Sequence, residues 1–448
     1  MEFFIAGLIF YPLLKGKSKQ FQIVRRINER NLENYCEICC SKELKTDIYQ
    51  IVEKCTEENP HIPSLIELLD YHGVLQTAIS ASMKNFIKIA HPFYRNGVVY
   101  LSEQVKMSDG GTIGLEWGVQ IEEYRKNPHM TINDLKKEKI VILLHGFLGD
   151  SHSEYIYYFI PQLIQAGYTP VVYVARGCSD LTLTSDSLPN GKVCSDMYEI
   201  TRYIKKNYQS VRTNNNQYIV DEKKKVFAIG YSIGGASLLN YISRIKEYSY
   251  LSAAISICPP WDIIKNSFEA SYLSYFFSFL ISVPLKLFLL KHYFYLASLN
   301  NVNQDNTNEV EMSNMPSIWK ILFQTRFLPD FDALLYPIYY KCSLPQNYQR
   351  EKQLHQKYDQ DDILNYYHPI HSTEKYSSLM EFYEDINATN YLHQISIPTL
   401  VLAAKDDPIC MESFIPSSKE DCTSFGSNLI VVGIFRFFLL LSFFFLLI

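Results

Sequence analysis

A chain of 448 residues with a net charge of −5, 47% hydrophobic and 20% charged residues can hold one large α/β domain with an insertion, or two average domains. That charge balance makes no electrostatic case for nucleic acid or for an anionic membrane surface. Its 10 cysteines do not form a compact disulfide framework, which favours a reducing compartment.

The chain opens on Phe3 to Leu14, a mostly apolar run followed by Lys15, Lys17 and Lys19. It is short for a bilayer crossing, which needs roughly 20 residues, and no small-residue cleavage site follows it. Two readings of residues 1–20 stand: a shallow membrane anchor or a buried hydrophobic arm. Cys36, Cys39 and Cys40, with Cys55 and His61 nearby, fit no standard zinc spacing and read as structural thiols. No metal and no organic cofactor is implied.

Ile140 to Leu144 is a short apolar run, the pattern of a strand covered on both faces, and it ends in His145-Gly146-Phe147-Leu148-Gly149. Val171 to Ala175 is a second such strand and ends in Arg176-Gly177. Asn214 to Asn216 and Asn300 to Asn308 read as surface loop expansions. Val226 to Ile229 is a third strand and runs into Gly230-Tyr231-Ser232-Ile233-Gly234-Gly235. Beyond it Ala236, Leu239, Ile242 and Ile245 recur at helical spacing while Asn240, Arg244 and Lys246 stay polar, which predicts an amphipathic helix. A Gly-x-Ser-x-Gly between strand and helix reads as a nucleophile elbow. Gly230 and Gly234 let strand and helix approach, Ser232 is the candidate nucleophile, and the Ile233 amide faces the site. The second oxyanion donor comes from the loop after the earlier strand, around Phe147.

Ser252 to Cys258 and Thr399 to Ala404 complete the buried strands, the latter delivering Lys405-Asp406-Asp407-Pro408. Strands alternating with helices predict an α/β fold with a mostly parallel sheet and helices on both faces. Tyr272 to Leu290 is apolar enough for a membrane span but is interrupted by Pro284 and Lys286 and lies between strands of one sheet. It reads as a hydrophobic lid helix.

With these motifs in order, the chain resembles the membrane-associated α/β-hydrolase-domain lipases and their bacterial and plant esterase relatives. The resemblance spans roughly His72 to Val432 and rests on His72-Gly73-Val74-Leu75-Gln76-Thr77, His91-Pro92-Phe93-Tyr94, Asp109-Gly110-Gly111, Leu115-Glu116-Trp117, the motifs above, Asp196 and Phe331-Asp332. It implies an α/β-hydrolase domain over 96–432 with a helical lid inserted at about 261–394, behind a helical extension at 21–95. It also implies a serine hydrolase of monoacylglycerols, phospholipids or short-chain esters, working through an acyl-enzyme at a membrane. Within the acid loop the family habit favours Asp407 over Asp406 as the acid that orients the base.

The order Ser, acid, His requires a histidine after Asp407. Ser427 to Val432 reads as the last strand, yet between it and Ile448 stand only Gly433 to Phe438 and a run of Leu, Phe, Ser and Ile. Three explanations stay open for residues 433–448: unspliced intron in the gene model, a genuine transmembrane tail on a non-catalytic relative, or a base arriving from elsewhere, such as His371. The remaining histidines read as structural or surface residues: His145 shaping the oxyanion loop, His72 and His91 ahead of the domain, and His129, His152, His292, His355, His368 and His393 on the surface or lid. The expected location is an intracellular membrane, with lipid esters as partners and no nucleic acid.

Overall fold

The computed structural model describes residues 36–39, 97–331 with internal gaps at 186, 190–193, 213–217, 222, 247–248, 263–271, 303–316 and 327–329, then 379–404, 407, 410, 415 and 429–434. The elements in chain order are β1 (Cys36–Cys39), β2 (Val98–Lys106), β3 (Thr112–Gln120), α1 (Ile121–Lys126), β4 (Lys139–Leu144), α2 (Glu154–Tyr157), α3 (Ile160–Gln165), β5 (Thr169–Val174) and α4 (Cys194–Tyr208). A small hairpin, β6 (Ser210–Arg212) and β7 (Tyr218–Val220), precedes β8 (Lys225–Tyr231), α5 (Ile233–Ile245) and β9 (Ala253–Ile257). The lid supplies α6 (Tyr272–Val302), α7 (Ile318–Gln324) and α8 (Leu379–Ile386) before β10 (Thr399–Ala404) and β11 (Leu429–Ile434).

Among the described residues, nine strands form one sheet in the order β1-β11-β10-β9-β8-β4-β5-β3-β2. From β11 through β5 every neighbouring pair is parallel; β1 on one side and the β2–β3 hairpin on the other are antiparallel. The unbroken apolar runs have their cause here. Ile140, Ile142 and Leu144 of β4 join the core on one face, whereas Val141 and Leu143 join the core on the other. One face is covered by α4, α5 and α6, the other by α2 and α3. This is the mostly parallel α/β sheet that the strand pattern predicts, and the α/β-hydrolase fold that the resemblance implies.

Sequence and structure differ in four places. The helix after the elbow is not amphipathic: Asn240 is fully buried and Arg244 nearly so. Their polar groups meet the end of α8 instead of water, Asn240 Nδ2 donating to the Ile386 carbonyl at 2.7 Å and Arg244 pairing with Asp385 at 2.9 Å. Cys36–Cys39, placed by the sequence reading in a helical extension, is an edge strand of the sheet paired with β11. The last strand runs Leu429–Ile434, two residues beyond the expected Ser427 to Val432. His292 is buried rather than exposed on the lid.

Tyr272 to Leu290 does belong to a helix, which continues to Val302 with Pro284 inside it. Among the described residues no helix is long and apolar enough to cross a membrane, so a transmembrane helix is not supported there. The Phe3 to Leu14 run, His72, His91, Asp332, Asp406, His355, His368, His371 and residues 435–448 lie outside the described residues.

Candidate active site

Six parallel strands end on one side of the sheet, where loops carry the chemistry in folds of this type. β8 hands over to α5 through Ser232, whose φ of 52° and ψ of −122° lie in a region that residues with a side chain rarely adopt. Such strain persists only where the surroundings over-determine it. A Cβ on Gly230 would collide with the backbone of Gly234, and one on Gly235 would stand 2.6 Å from Ser256 Oγ. Glycine is therefore required on both sides of the serine by close approach. The Ser232 amide donates to the Ile257 carbonyl of β9 at 2.8 Å, and the Ala236 amide returns to the Ser232 carbonyl at 3.0 Å. Ile233 is the first residue of α5, so its amide belongs to the first turn and has no intrahelical acceptor.

The loop after β4 lies beside this turn. Were Gly146 to carry a Cβ, it would sit 3.5 Å from Ser232 Cβ and 3.1 Å from the Tyr155 hydroxyl. The Gly149 amide donates to the Gly146 carbonyl at 3.0 Å, and Leu148 has φ of 48°, so residues 146–149 close a tight turn with Phe147 at its outer corner, 39% exposed.

His145 organises the loop. The Ala175 amide donates to Nε2 at 3.2 Å, so Nε2 is unprotonated, and Nδ1 carries the hydrogen that it donates to the Gly146 carbonyl at 2.7 Å. A histidine using both nitrogens on backbone in a buried setting is a scaffold group. Tyr155 holds the loop from the other side: its hydroxyl accepts the Gly146 amide at 2.8 Å, its ring packs on Tyr231 at 4.7 Å, and burial raises its pKa, keeping it protonated. Tyr155 carries no sequence signal, because an aromatic residue in a short helix looks like core.

Asp407 follows β10, two strands from the elbow. Its amide donates to the Ala404 carbonyl at 3.4 Å, and its Oδ1 accepts the Cys410 amide at 3.0 Å. The Cys410 thiol, kept protonated by burial, donates to the Cys258 carbonyl at 3.3 Å. Cys258 directly follows Ile257, the residue that accepts the Ser232 amide, so the acid loop and the elbow are stitched to the same strand end. Cys410 was another residue without a sequence signal.

Beneath the loops lies a buried ion cluster. Arg176 pairs with Asp196 through Nη2 at 2.6 Å and through Nε at 3.0 Å, and also with Asp109 and Ser185. Tyr173, stacked against His145, donates its hydroxyl to Asp196 at 3.1 Å. Asp109, Arg176 and Asp196, which the sequence offers as separate motifs, are thus one structural unit beside the loop that follows β4. Its partners hold the Arg176 pKa above its ordinary value despite burial.

Of the described histidines, none takes the place of a base beside Asp407 in the hydrogen bonds the structure records. His145 is engaged with backbone, His152 sits by Ser151 and Tyr100, His292 bonds the Gly177 carbonyl at 2.9 Å, and His129 and His393 are exposed. Among the described residues no group of three or more His, Cys, Asp or Glu is placed to hold a metal ion.

Residues 136–415 match the family described as serine aminopeptidase, S33, a group of α/β-hydrolases. The chain belongs to this family. Among its relatives are the medium-chain fatty acid ethyl ester synthase/esterase 2 of Saccharomyces cerevisiae, 24% identical with 76% of this chain and 73% of that protein covered. Human phospholipase ABHD3 is 22% identical over 74% of this chain and 66% of its own length. The embryogenesis-associated protein EMB8 of Picea glauca is 26% identical over 38% of this chain and 35% of its own length, so the chain spans about a third of that relative. Among solved structures, the Pyrococcus furiosus esterase Pf2001 aligns with a TM-score of 0.37 and 14% identity, covering 75% of this chain and 81% of the esterase. The printed names of two of these relatives describe an ester synthase/esterase and a phospholipase.

Proposed function

We propose that the chain is a serine hydrolase of lipid esters, of the monoacylglycerol lipase, phospholipase or short-chain carboxylesterase type. The observation that carries the reading is Ser232 in its strained junction, with the Gly146–Gly149 turn against it. Ser232 Oγ attacks the acyl carbonyl, and the amides of Ile233 and Phe147 receive the charge that develops on the carbonyl oxygen. Asp407 would orient a base histidine, which would take the Ser232 proton and pass it to the leaving alcohol, but none follows Asp407 in the sequence. The alcohol leaves, and water releases the acid from the acyl-enzyme. Removing one oxyanion donor costs about 2.7–4 kcal/mol of transition-state stabilisation in enzymes of this kind. The location that suits such substrates is an intracellular membrane.

No histidine lies between Asp407 and Ile448, which favours a second reading: a membrane-tethered relative that keeps the pocket without turnover. Absence of the base lowers kcat by about 10⁶ in the best-measured triad, so the two readings differ sharply in rate.

A fluorophosphonate probe with added imidazole as a surrogate base separates them. The expected result is a mass shift on the Ser232 peptide that imidazole accelerates and Ser232→Ala abolishes. No adduct above the Ser232→Ala background, in protein that melts cooperatively, would establish the non-catalytic reading instead.

A further inference from the structure

The lid helices hide one apolar face and show another. At 3.6 residues per turn, Leu285, Phe288, Leu289, His292 and Leu296 form the buried side of α6. Val283, Leu287 and Phe294 fall within roughly 40° of one another on the opposite side. They are 45%, 63% and 82% exposed. α7, which packs on α6, buries Ile321 and leaves Trp319 and Phe323 at 69% and 68% exposure, their rings stacked at 5.7 Å. Among the described residues, the exposed large hydrophobic side chains are these and Phe147. Scattered exposed apolar residues are ordinary, but concentration on one two-helix unit marks an interaction surface.

We infer that this outer lid face is a docking surface for an anionic lipid bilayer. Charge selects the occupant. Neither α6 nor α7 contains an acidic residue, and the unit carries Lys286, Lys291 and Lys320, with exposed Arg326 just beyond. Beyond α7, the Asp330 carboxylate accepts the Arg326 amide at 2.7 Å. A chain of net charge −5 thus presents a basic, apolar face locally, the combination that holds a protein in the interface of acidic lipids. A second copy of the same face would bring like charges together.

The face is also aimed. Lys291 Nζ donates to the carbonyls of Gly177, Ser179 and Leu181 at 3.2, 2.6 and 3.1 Å, and His292 Nε2 donates to the Gly177 carbonyl. Those carbonyls follow β5, at the strand ends where Ser232 stands. Docking therefore brings the site end of the molecule to the bilayer. The inference deepens the lipid-ester reading and rests on it for its purpose, but binding is read equally in Ser232→Ala protein, so a failure of the chemistry is distinguishable from a failure of the surface.

Trp319 is a built-in reporter, because Trp117 and Trp261 are 0% and 1% exposed. Full-length protein is mixed with phosphatidylcholine vesicles, with and without phosphatidylserine, carrying brominated acyl chains. Expected is quenching of Trp319 emission that requires phosphatidylserine and weakens with salt. Lys320→Glu and Arg326→Glu should each weaken the quenching-derived affinity about fivefold or more. Leu287→Asp with Phe294→Asp should abolish the quenching with the melting transition unchanged. The proposal is overturned by equal quenching in neutral vesicles, by quenching that survives Trp319→Phe, by protein that floats with vesicles while Trp319 stays unquenched, or by burial of Trp319 in a lipid-free dimer.

Discussion

Arg176 illustrates how much a single residue can carry away from the chemistry. Its side chain is 5% exposed and is balanced by Asp196 and Asp109, so the charge is tolerated only while its partners remain. Breaking a buried pair from one side leaves an uncompensated charge and costs about 3–5 kcal/mol. Asp196→Asn should therefore lower the urea midpoint sharply. Arg176→Met, which strands two carboxylates, should cost at least as much, whereas Arg176→Met with Asp196→Asn and Asp109→Asn together should recover part of the loss. A triple-mutant cycle in urea measures this; additive losses would mean that the three side chains do not act as a unit. Ser232 is the opposite case, legible from the sequence because close approach permits only glycine at positions 230 and 234. Tyr155 and Cys410 were illegible because their roles depend on which backbone groups the fold brings beside them.

Among the elements, α6 is held to the sheet by two side chains whose chemistry differs. Lys291 Nζ donates to three carbonyls, while burial lowers the His292 pKa below its ordinary 6.5. The sign follows from which state binds the proton first. Unfolded His292 protonates near 6.5 while the folded residue stays neutral, so acidification through the window just below 6.5 favours the unfolded form. Stability should fall as pH drops through that window, and His292→Gln should flatten this part of the curve. Hydrogen exchange of α6 amides supplies the local readout: Lys291→Met should speed exchange there while leaving β4 and β8 protected. Equal acceleration throughout would show that the lid and sheet open together. The same lesson applies to α5. Polar residues at helical spacing normally mean a wet face, but the acceptors for Asn240 and Arg244 lie 146 and 141 residues away in sequence, where no local pattern can announce them.

Across the whole molecule, the parallel strands were readable because each is a continuous apolar run covered on both faces. The edge was not. Cys36–Cys39 is too short to show alternation, and its partner stands near the other end of the chain, Cys36 opposite Ile434 and Cys39 opposite Val431. This antiparallel addition covers the backbone edge of β11, which would otherwise offer unpaired amides and carbonyls to another chain. Deleting residues 1–40 should therefore leave the strands from β2 to β10 intact but expose β11. The expected outcome is a protein with near-native circular dichroism that self-associates as its concentration rises, by light scattering. Ile38→Pro in the full chain, which disturbs pairing beside Val432 without removing the segment, should move in the same direction but less far. A deletion variant that stays monodisperse and melts like the full chain would show that β1 contributes nothing to closing the sheet.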